Sequence, residues 1–163
     1  MYRGAVAATS TDPTPTALMA GNFTTLTRLV GLFRREFADR LSHEPWATES
    51  GVRPPTYGVL SVVGHLGPVS QREVSDAIGL HASDLVDIVD LAEGNGWIER
   101  RRDPGDRRRY QLTLTALGRE ILGRYNTVAA DAEAAVLEPL TEAERKRLMG
   151  LVSKVVNGQF DRD

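Results

Sequence analysis

Apolar residues recur every three or four positions near the start of the chain, between residues 17 and 42. The stripe consists of Leu26, Leu29, Val30, Phe33, Phe37 and Leu41. This spacing matches the period of an α-helix and predicts one long amphipathic helix. Prolines and a glycine interrupt the following residues, 43–55, which we interpret as a connector.

A shorter helix is predicted after the connector and before Gly67. Pro55 suits its first position because proline presets the helical φ angle and lacks the amide hydrogen that this position leaves unpaired. The helix is expected to extend to about His65. Its residues available for burial are Tyr57, Leu60, Val63 and Leu66.

Two further helices, joined by a short turn, are predicted over residues 71–77 and 81–94. Ser70 and Glu73 have the spacing of a capping box, and Gly79 suits the end of the first helix. The second helix separates an apolar side from an acidic one, the members being Leu85, Ile88, Val89 and Ala92 against Asp84, Asp87 and Asp90. The pair is a candidate helix-turn-helix, which is a weak signal alone because many helical domains contain such a corner.

A β-hairpin is predicted directly after this pair of helices. Apolar and polar residues alternate over residues 110–115, which is the period of a strand, and residues 97–101 supply the partner strand. Pro104 and Gly105 between them suit the central positions of a type II turn. A helix-turn-helix followed by a hairpin is a winged helix-turn-helix. The predicted fold class is therefore mainly α with a small β-hairpin wing.

Two helices complete the chain. The first is predicted from Thr115 to about Leu137, with an apolar face of Leu117, Ile121, Leu122, Tyr125, Val128 and Ala132. Thr141 and Glu144 form a second capping box, which begins the last helix. That helix is expected to turn five apolar residues inward: Leu148, Leu151, Val152, Val155 and Val156. A domain this small would struggle to bury every such stripe, so the stripes pack either on a second copy or back on their own domain.

The net charge is −2, yet residues 100–109 read RRRDPGDRRR and contain six arginines. This concentration is either a solvated turn or a basic element for a polyanion, and its place at a hairpin tip after a helix-turn-helix favours DNA contact. The 163-residue chain has no cysteine, no apolar run that could span a membrane and no secretory h-region. We therefore expect a cytoplasmic protein with no membrane partner. The Thr-, Pro- and Ala-rich residues 1–16 suggest a disordered tail.

Neither a metal site nor a catalytic site is predicted. The three histidines, His43, His65 and His81, form no group of three ligands with neighbouring carboxylates. No nucleophile motif, Gly-rich phosphate loop or HExxH sequence is present. We therefore expect a protein that is not an enzyme and that needs no cofactor.

Residues 95–118, NGWIERRRDPGDRRRYQLTLTALG, resemble the wing of MarR-family transcriptional regulators. The matching features are a Gly with two hydrophobic residues, a basic pair, a D-x-R tip at Asp106-Arg107-Arg108, and a leucine-threonine pair that opens a helix. The order of elements agrees over about residues 17–157. The resemblance implies a homodimer in which terminal helices intertwine and two winged modules read a pseudo-palindromic double-stranded operator. It also implies repression that a small, often phenolic, ligand relieves.

The resemblance divides the chain and assigns its sites. Residues 17–53 and 115–163 are the expected helical dimerisation region, and residues 54–114 the winged DNA-binding domain. The candidate DNA-binding residues are Ser70, Gln71, Ser83, Val86, Asp87, Asp106, Arg107, Arg108 and Arg109. The candidate residues for an aromatic or phenolic effector are Trp46, Tyr57, His65 and Arg100. Several of them also have a structural interpretation: Ser70 and Gln71 as ordinary residues at a helix start, the wing arginines as a solvated turn, the aromatic residues as core, and Arg100 as a strand-edge arginine.

Two of these residues have a specific expected role. In the family, the residue at the position of Arg108 enters the minor groove, where the phosphate potential is most negative. Asp106 is expected to hold the geometry of the loop.

Asp87 is unexpected at a reading position, because phosphates repel carboxylates. It is either a solvated residue that pairs with an arginine or an acceptor for cytosine N4.

Two alternative functions remain open. The chain could be a degenerate winged helix that binds a partner protein through its acidic helix. It could also be a small-molecule-binding dimer without DNA function. The strength and salt dependence of binding to DNA would separate these alternatives from a regulator.

Overall fold

The computed structural model describes residues 21–103, 105 and 110–160. Within these residues it contains seven α-helices and three short β-strands. The elements in chain order are α1 (Asn22–Ser42), α2 (Pro45–Glu49), α3 (Pro54–Leu66), β1 (Val69–Ser70), α4 (Gln71–Ile78), α5 (Ala82–Gly94), β2 (Ile98–Arg102), β3 (Tyr110–Leu114), α6 (Ala116–Val136) and α7 (Glu142–Phe160). The predicted fold class, mainly α with a β-hairpin wing, is confirmed. The predicted tail, residues 1–16, lies outside the described residues.

Helices α3, α4 and α5 pack with a three-stranded antiparallel sheet to form the winged module. The sheet order is β1-β3-β2. Sequence periodicity does not reveal β1, because a strand of two residues is too short for alternation to be visible. The core of the module is formed by fully buried side chains from nearly every element: Leu60, Val63, Val74, Leu85, Val89, Ile98 and Leu112.

Side-chain caps confirm the predicted starts of α4 and α7. Ser70 Oγ accepts from the Glu73 amide at 3.3 Å, and the Glu73 carboxylate accepts from the Ser70 amide at 2.8 Å. Thr141 and Glu144 repeat this exchange at 3.4 and 2.9 Å. The bonds from Thr141 hold the pKa of the Glu144 carboxyl below its usual value. Gly79 ends α4 with a φ of 64°, a left-handed conformation that favours glycine.

Residues 43–55 are not a plain connector, because they contain the five-residue helix α2. Pro45 occupies its first turn, where the missing amide hydrogen costs nothing, and Trp46 packs against the core. Helix α3 begins one residue earlier than predicted, at Pro54, so that Pro55 takes the second position. The prolines of this segment therefore begin two helices rather than preventing them.

In α3 and α6, two residues expected to be buried are exposed instead. Leu66 is 54 % exposed because it is the last residue of α3 and the chain leaves the core at Gly67. Leu117 is exposed because Gly118, its neighbour on α6, is the residue that faces Trp97. The structure places both residues within one position of a helix end, where the side that faces the core is least defined.

Helix α7 leaves its apolar side uncovered in the single chain. The exposed residues are Leu151, Val152, Val155 and Val156. Helix α7 makes only slight contact with the other described elements, so the prediction that these side chains face inward is wrong for one chain alone. Helix α1 packs on α6 but likewise exposes Phe23, Leu26 and Val30. Both terminal helices thus present apolar surface to solvent.

Candidate nucleic-acid interface

Helix α5 is the second helix of the helix-turn-helix, and one of its sides faces solvent. Its buried side carries Leu85, Ile88, Val89 and Ala92. Ser83, Val86 and Asp87 are exposed on the other side. Residues three and four apart on a helix share a face, so the structure brings these three predicted reading positions together.

The exposed side of α5 is acidic. The helix contains Asp84, Asp87, Asp90 and Glu93, and it has no lysine or arginine. Within the described part of the chain, the Asp87 side chain has no hydrogen bond or ion pair, so the arginine partner considered for it is not observed there. Asp90 and Glu93, by contrast, are both paired with Arg100. Among the residues that the structure describes, ion pairs therefore compensate the negative charge of α5 towards its C-terminal end.

Arg100 on β2 joins the wing to the acidic side of α5. Its Nη2 donates to Asp90 and its Nη1 donates to Glu93. The Arg100 side chain is only 22 % exposed. Burial alone would lower its pKa, but the hydrogen bonds and charges of the two carboxylates outweigh that effect and raise it above the ordinary value. The guanidinium is therefore permanently charged and engaged with α5.

The turn of the wing is held by Asp103. Its Oδ1 accepts from the Gly105 amide at 2.7 Å, and its Oδ2 accepts from the side-chain amide of Gln111 at 3.1 Å. Sequence reasoning expected Asp106, which lies outside the described residues, to hold the loop and did not consider Asp103. The available signal was the Asp-Pro-Gly sequence, because aspartate commonly accepts from the amide two residues later.

The predicted contacts at the wing tip, Asp106, Arg107, Arg108 and Arg109, lie outside the described residues, as does Pro104 of the predicted turn. Two described arginines of β2 are exposed beside this tip. Arg101 pairs with Glu99 of its own strand at 2.7 Å, and the guanidinium of Arg102 lies 5.4 Å from the ring centre of Tyr110. Sequence reasoning did not select either arginine for DNA contact.

The start of α4 is occupied by its own capping residues. Ser70 donates both its amide and its hydroxyl to the Glu73 carboxylate, at 2.8 and 2.6 Å. Gln71 is half-buried, and its side-chain nitrogen has no hydrogen-bond partner among the described residues. Arg72 is exposed, 3.8 Å from Asp76. Arg72, which sequence reasoning did not select, is thus an exposed cation at the start of α4, where a phosphate contact was expected.

The four residues predicted for effector binding do not form one cluster. Trp46 and Tyr57 belong to an aromatic cluster whose members are Phe37, Trp46, Tyr57 and Tyr125. His65 is exposed and lies about 12 Å from Tyr57 along α3. No hydrogen bond, ion pair or ring contact within the described ranges joins His65 or Arg100 to the aromatic cluster.

Tyr125 lies at the centre of the aromatic cluster. Its ring centre is 4.9 Å from that of Trp46 and 5.6 Å from that of Tyr57. The residue is fully buried, and its hydroxyl has no hydrogen-bond partner among the described residues. Burial raises the pKa of Tyr125; the nearby Thr56 hydroxyl opposes this rise without reaching hydrogen-bond geometry.

A groove of about 480 Å³ lies beside the aromatic cluster. Its lining residues are Arg34, Phe37, Pro54, Pro55, Tyr57, Gly58, Ile78 and Leu80. They come from α1, from the start of α3 and from the end of α4 with its following turn, so the groove lies between the long N-terminal helix and the winged module. Of the four residues predicted for an effector, Tyr57 lines it. Its walls are mainly apolar, and Arg34 adds a positive charge.

The described ranges contain no helix with both the length and the apolar character that crossing a membrane requires. Over the same residues, His, Asp and Glu side chains nowhere form a group of three that could hold a metal ion.

These elements define a class of protein, the winged helix-turn-helix, in which α4 and α5 precede a basic hairpin. Comparison with known sequences defines the family. The sequence model of the MarR family matches residues 50–109. A protein of Thauera aromatica, whose name assigns it to transcriptional regulation of the hcr operon, is 32 % identical over 121 residues, which make up 74 % of this chain and 70 % of that protein. The chain belongs to the MarR family and is a DNA-binding transcriptional regulator.

Solved structures share this fold. MarR of Escherichia coli in its apo form is 20 % identical, with a TM-score of 0.71 over 83 % of this chain and 96 % of that one. A MarR-family protein of Mycobacterium tuberculosis is 22 % identical and has been solved in complex with DNA, with a TM-score of 0.68, and with p-aminosalicylic acid, with a TM-score of 0.69. In both cases the match covers 83 % of this chain and 98 % of the Mycobacterium tuberculosis chain.

Proposed function

We propose that this regulator is a homodimer that represses transcription by binding a pseudo-palindromic operator, and that a small aromatic or phenolic effector releases it. The observation that carries this proposal is the outward face of α5, which has no packing role and lies beside the arginine-rich wing. An exposed helix face next to a basic hairpin suits one element in the major groove and the other along the phosphates.

The proposed DNA contacts are made by α5 and by the wing. Ser83, Val86 and Asp87 would face base edges in the major groove, and Arg108 would enter the minor groove beside Arg107 and Arg109. At the start of α4, Ser70 is engaged in its capping box, so we place the phosphate contact on Arg72 and on the backbone of Gln71.

The uncovered apolar residues of the terminal helices support the homodimer. Leu151, Val152 and Val155 on α7 and Leu26 and Val30 on α1 are exposed in one chain. Exposed apolar surface of this extent normally marks an interaction site. Because the two helices lie at opposite ends of the same chain, we propose that a second copy covers both, and that residues 17–53 and 115–163 form the dimerisation region.

The groove between α1 and the winged module supports an effector. An aromatic ring would pack against Phe37 and Tyr57, and a carboxylate would pair with Arg34. The Mycobacterium tuberculosis relative was solved with an aromatic acid, p-aminosalicylic acid. Occupation of the groove would alter how α1 sits on α3 and α4, and therefore the distance between the two winged modules of a dimer.

The test is selection of random duplexes on the purified chain, followed by titration of the enriched duplex at several salt concentrations. We expect an enriched pseudo-palindrome bound by two chains. If a dimer neutralises roughly six phosphates, log K should fall with log salt at a slope of about −5. No enrichment, or a slope between about 0 and −1, would favour the protein-interaction module instead.

The effector is tested on the same duplex. p-Aminosalicylic acid at millimolar concentration is expected to weaken operator binding, and Arg34→Gln should raise the concentration required. Arg35→Gln, a neighbouring exposed arginine on α1 that does not line the groove, is the matched control. If p-aminosalicylic acid releases neither the wild type nor Arg35→Gln from the duplex, this acid is not an effector of the protein.

A further inference from the structure

We propose that Arg100 is a positioning residue for DNA recognition, which fixes α5 relative to the wing by bridging Asp90 and Glu93. This inference rests on the proposed contact of α5 with DNA and goes beyond it, because Arg100 acts through other residues and does not itself touch a base. It also gives Arg100 a role different from the effector binding that the family resemblance implied.

The bridge joins two elements that are separate in the sequence. Asp90 and Glu93 are three residues apart on α5 and therefore share one helix face. Arg100 lies in the middle of β2, opposite Leu112 of β3. Each of its two terminal nitrogens donates to one of the carboxylates, so the planar guanidinium is fixed at two points. The bridge thus fixes both the distance between α5 and β2 and the rotation of α5.

Apolar packing alone does not supply this constraint. The buried residues of α5, Leu85, Ile88 and Val89, determine which side of the helix faces the core. Burial of apolar surface is non-directional, so it permits small rotations and shifts of the helix. A guanidinium paired with two carboxylates is directional. Here the Arg100 side chain is mostly shielded from solvent, while those of Asp90 and Glu93 are 57 % and 40 % exposed. A shift of α5 would displace Asp87, one turn before Asp90, from its position beside a base pair.

The bridge also connects the two elements that must contact one duplex at the same time. Strand β2 continues from Arg100 towards the wing tip, and α5 carries the reading positions. A fixed relation between them lets a single DNA geometry satisfy both contacts, which favours the correct sequence over others. The expected consequence of losing the bridge is a loss of discrimination between sequences rather than a uniform loss of affinity.

The test must separate the effect of the Arg100 charge from the effect of its bridge on the position of α5. The trio of Arg100, Asp90 and Glu93 carries a formal charge of −1, from one cation and two carboxylates. Arg100→Gln changes this charge to −2 by removing the cation. The double variant Arg100→Gln/Glu93→Gln restores the charge to −1, because only Asp90 remains ionised. It therefore has the charge of the wild type without the bridge.

Arg101 is the matched control on the same strand. Successive residues of a strand point to opposite faces, so Arg101 points away from the face that carries Arg100. Arg101 pairs with Glu99 of its own strand and is 70 % exposed. Arg101→Gln removes the same charge from β2 and leaves the bridge to α5 intact.

The experiment measures binding of full-length variants to the selected operator and to a shuffled duplex of equal length, by fluorescence anisotropy. Arg100→Gln and the charge-matched double variant should both lower the ratio of specific to non-specific affinity by about tenfold. Arg101→Gln should weaken binding to the two duplexes equally. A double variant that regains the wild-type ratio would show that only charge matters and would overturn the proposal, as would an unchanged ratio in Arg100→Gln.

Hydrogen–deuterium exchange of the free protein provides a readout without DNA. Amides near the C-terminal end of α5, residues 90–96, should exchange faster in both Arg100 variants and at the wild-type rate in Arg101→Gln. Unchanged exchange in the Arg100 variants would contradict the bridge. If the wild type itself selects no duplex, the proposed function fails together with this inference. If the wild type prefers the operator and Arg100→Gln keeps the same preference, only the inference about Arg100 fails.

Discussion

The backbone carbonyl of Trp97 lies so close to Gly118 that a Cβ atom on Gly118 would be 1.9 Å from its oxygen. The same carbonyl accepts from the Thr115 amide at 3.0 Å. Trp97 immediately precedes β2, and Gly118 lies in the first turn of α6. This contact therefore joins the base of the wing to the long helix that we assign to the dimer, at a point where only glycine fits.

Gly118→Ala is expected to lower the free energy of unfolding by at least about 2 kcal/mol, because a backbone oxygen cannot move aside as a side chain can. Gly123→Ala on the same helix is the control, since nothing lies within 4 Å of the added methyl group. It should stabilise the protein by up to about 1 kcal/mol through helix propensity. Urea denaturation of both variants measures this, and equal effects would contradict the close approach.

Tyr125→Phe is expected to raise the free energy of unfolding by about 1 kcal/mol, because it removes a buried hydroxyl that lacks a hydrogen bond. Tyr57→Phe is the matched control in the same aromatic cluster. It loses the bond that the Tyr57 hydroxyl donates to Asn126 at 3.1 Å, and should be neutral or slightly destabilising. A destabilised Tyr125→Phe would show that the hydroxyl does have a partner.

The difference in stability between Tyr125→Phe and the wild type is also expected to depend on pH in the alkaline range. Burial raises the pKa of Tyr125 in the folded chain, so above about pH 10 the unfolded chain loses a proton that the folded chain keeps. The wild type should therefore lose stability as the pH rises through this range. Tyr125→Phe should lose less, and its advantage over the wild type should grow between about pH 9 and 11. A constant difference over that range would contradict the raised pKa.

Arg108→Ala is expected to weaken operator binding by about 1–3 kcal/mol while folding and assembly remain unchanged. The reason is the loss of a guanidinium from the narrow minor groove. Arg124→Ala removes an arginine that pairs with Glu120 on α6, and serves as the control for charge far from the wing. Equal affinities of the two variants would remove Arg108 from the interface.

Asp87→Ala is expected to raise non-specific affinity and to reduce the ratio of specific to non-specific binding. Removal of the carboxylate relieves repulsion by phosphates, but it also removes the acceptor proposed for cytosine N4. Asp84→Ala, at the other acidic position in the first half of α5, should raise both affinities and preserve their ratio. If Asp87→Ala also preserves the ratio, Asp87 contributes only charge.

Val155→Asp is expected to convert the dimer into a folded monomer, because a carboxylate would be buried in the proposed apolar interface. The single chain should tolerate it, since Val155 is 66 % exposed there. Ser153→Asp on the same helix controls for the added charge. Sedimentation velocity distinguishes the species, and an intact Val155→Asp dimer would exclude this face of α7 from the interface.

Local signals explain what the sequence predicts well. The capping residues Ser70 and Thr141 act within four residues of themselves, so their pattern alone determines where α4 and α7 begin. The apolar side of α5 was predicted correctly for the same reason, because its period is regular over about two turns. The family resemblance depended likewise on one continuous stretch, residues 95–118.

Features that depend on distant parts of the chain were not predictable in this way. The pattern of α7 shows an apolar side, but only the packing shows that one chain leaves it uncovered. The bridge of Arg100 joins residues seven and ten positions away, and their charges do not reveal which carboxylate the guanidinium meets. The groove near Tyr57 combines residues of three helices, so no single stretch of sequence indicates it.

The uncovered side of α7 has a consequence for gene dosage. On the proposed assembly, two chains must meet before either binds the operator well, so below the dissociation constant the active species increases with the square of chain number. Halving the synthesis of the chain would then reduce the concentration of dimer that can bind the operator about fourfold. A promoter under its control would respond steeply to the supply of regulator, without cooperation between separate operators. The steepness would come from the nine large apolar side chains of α1 and α7 that one copy leaves exposed.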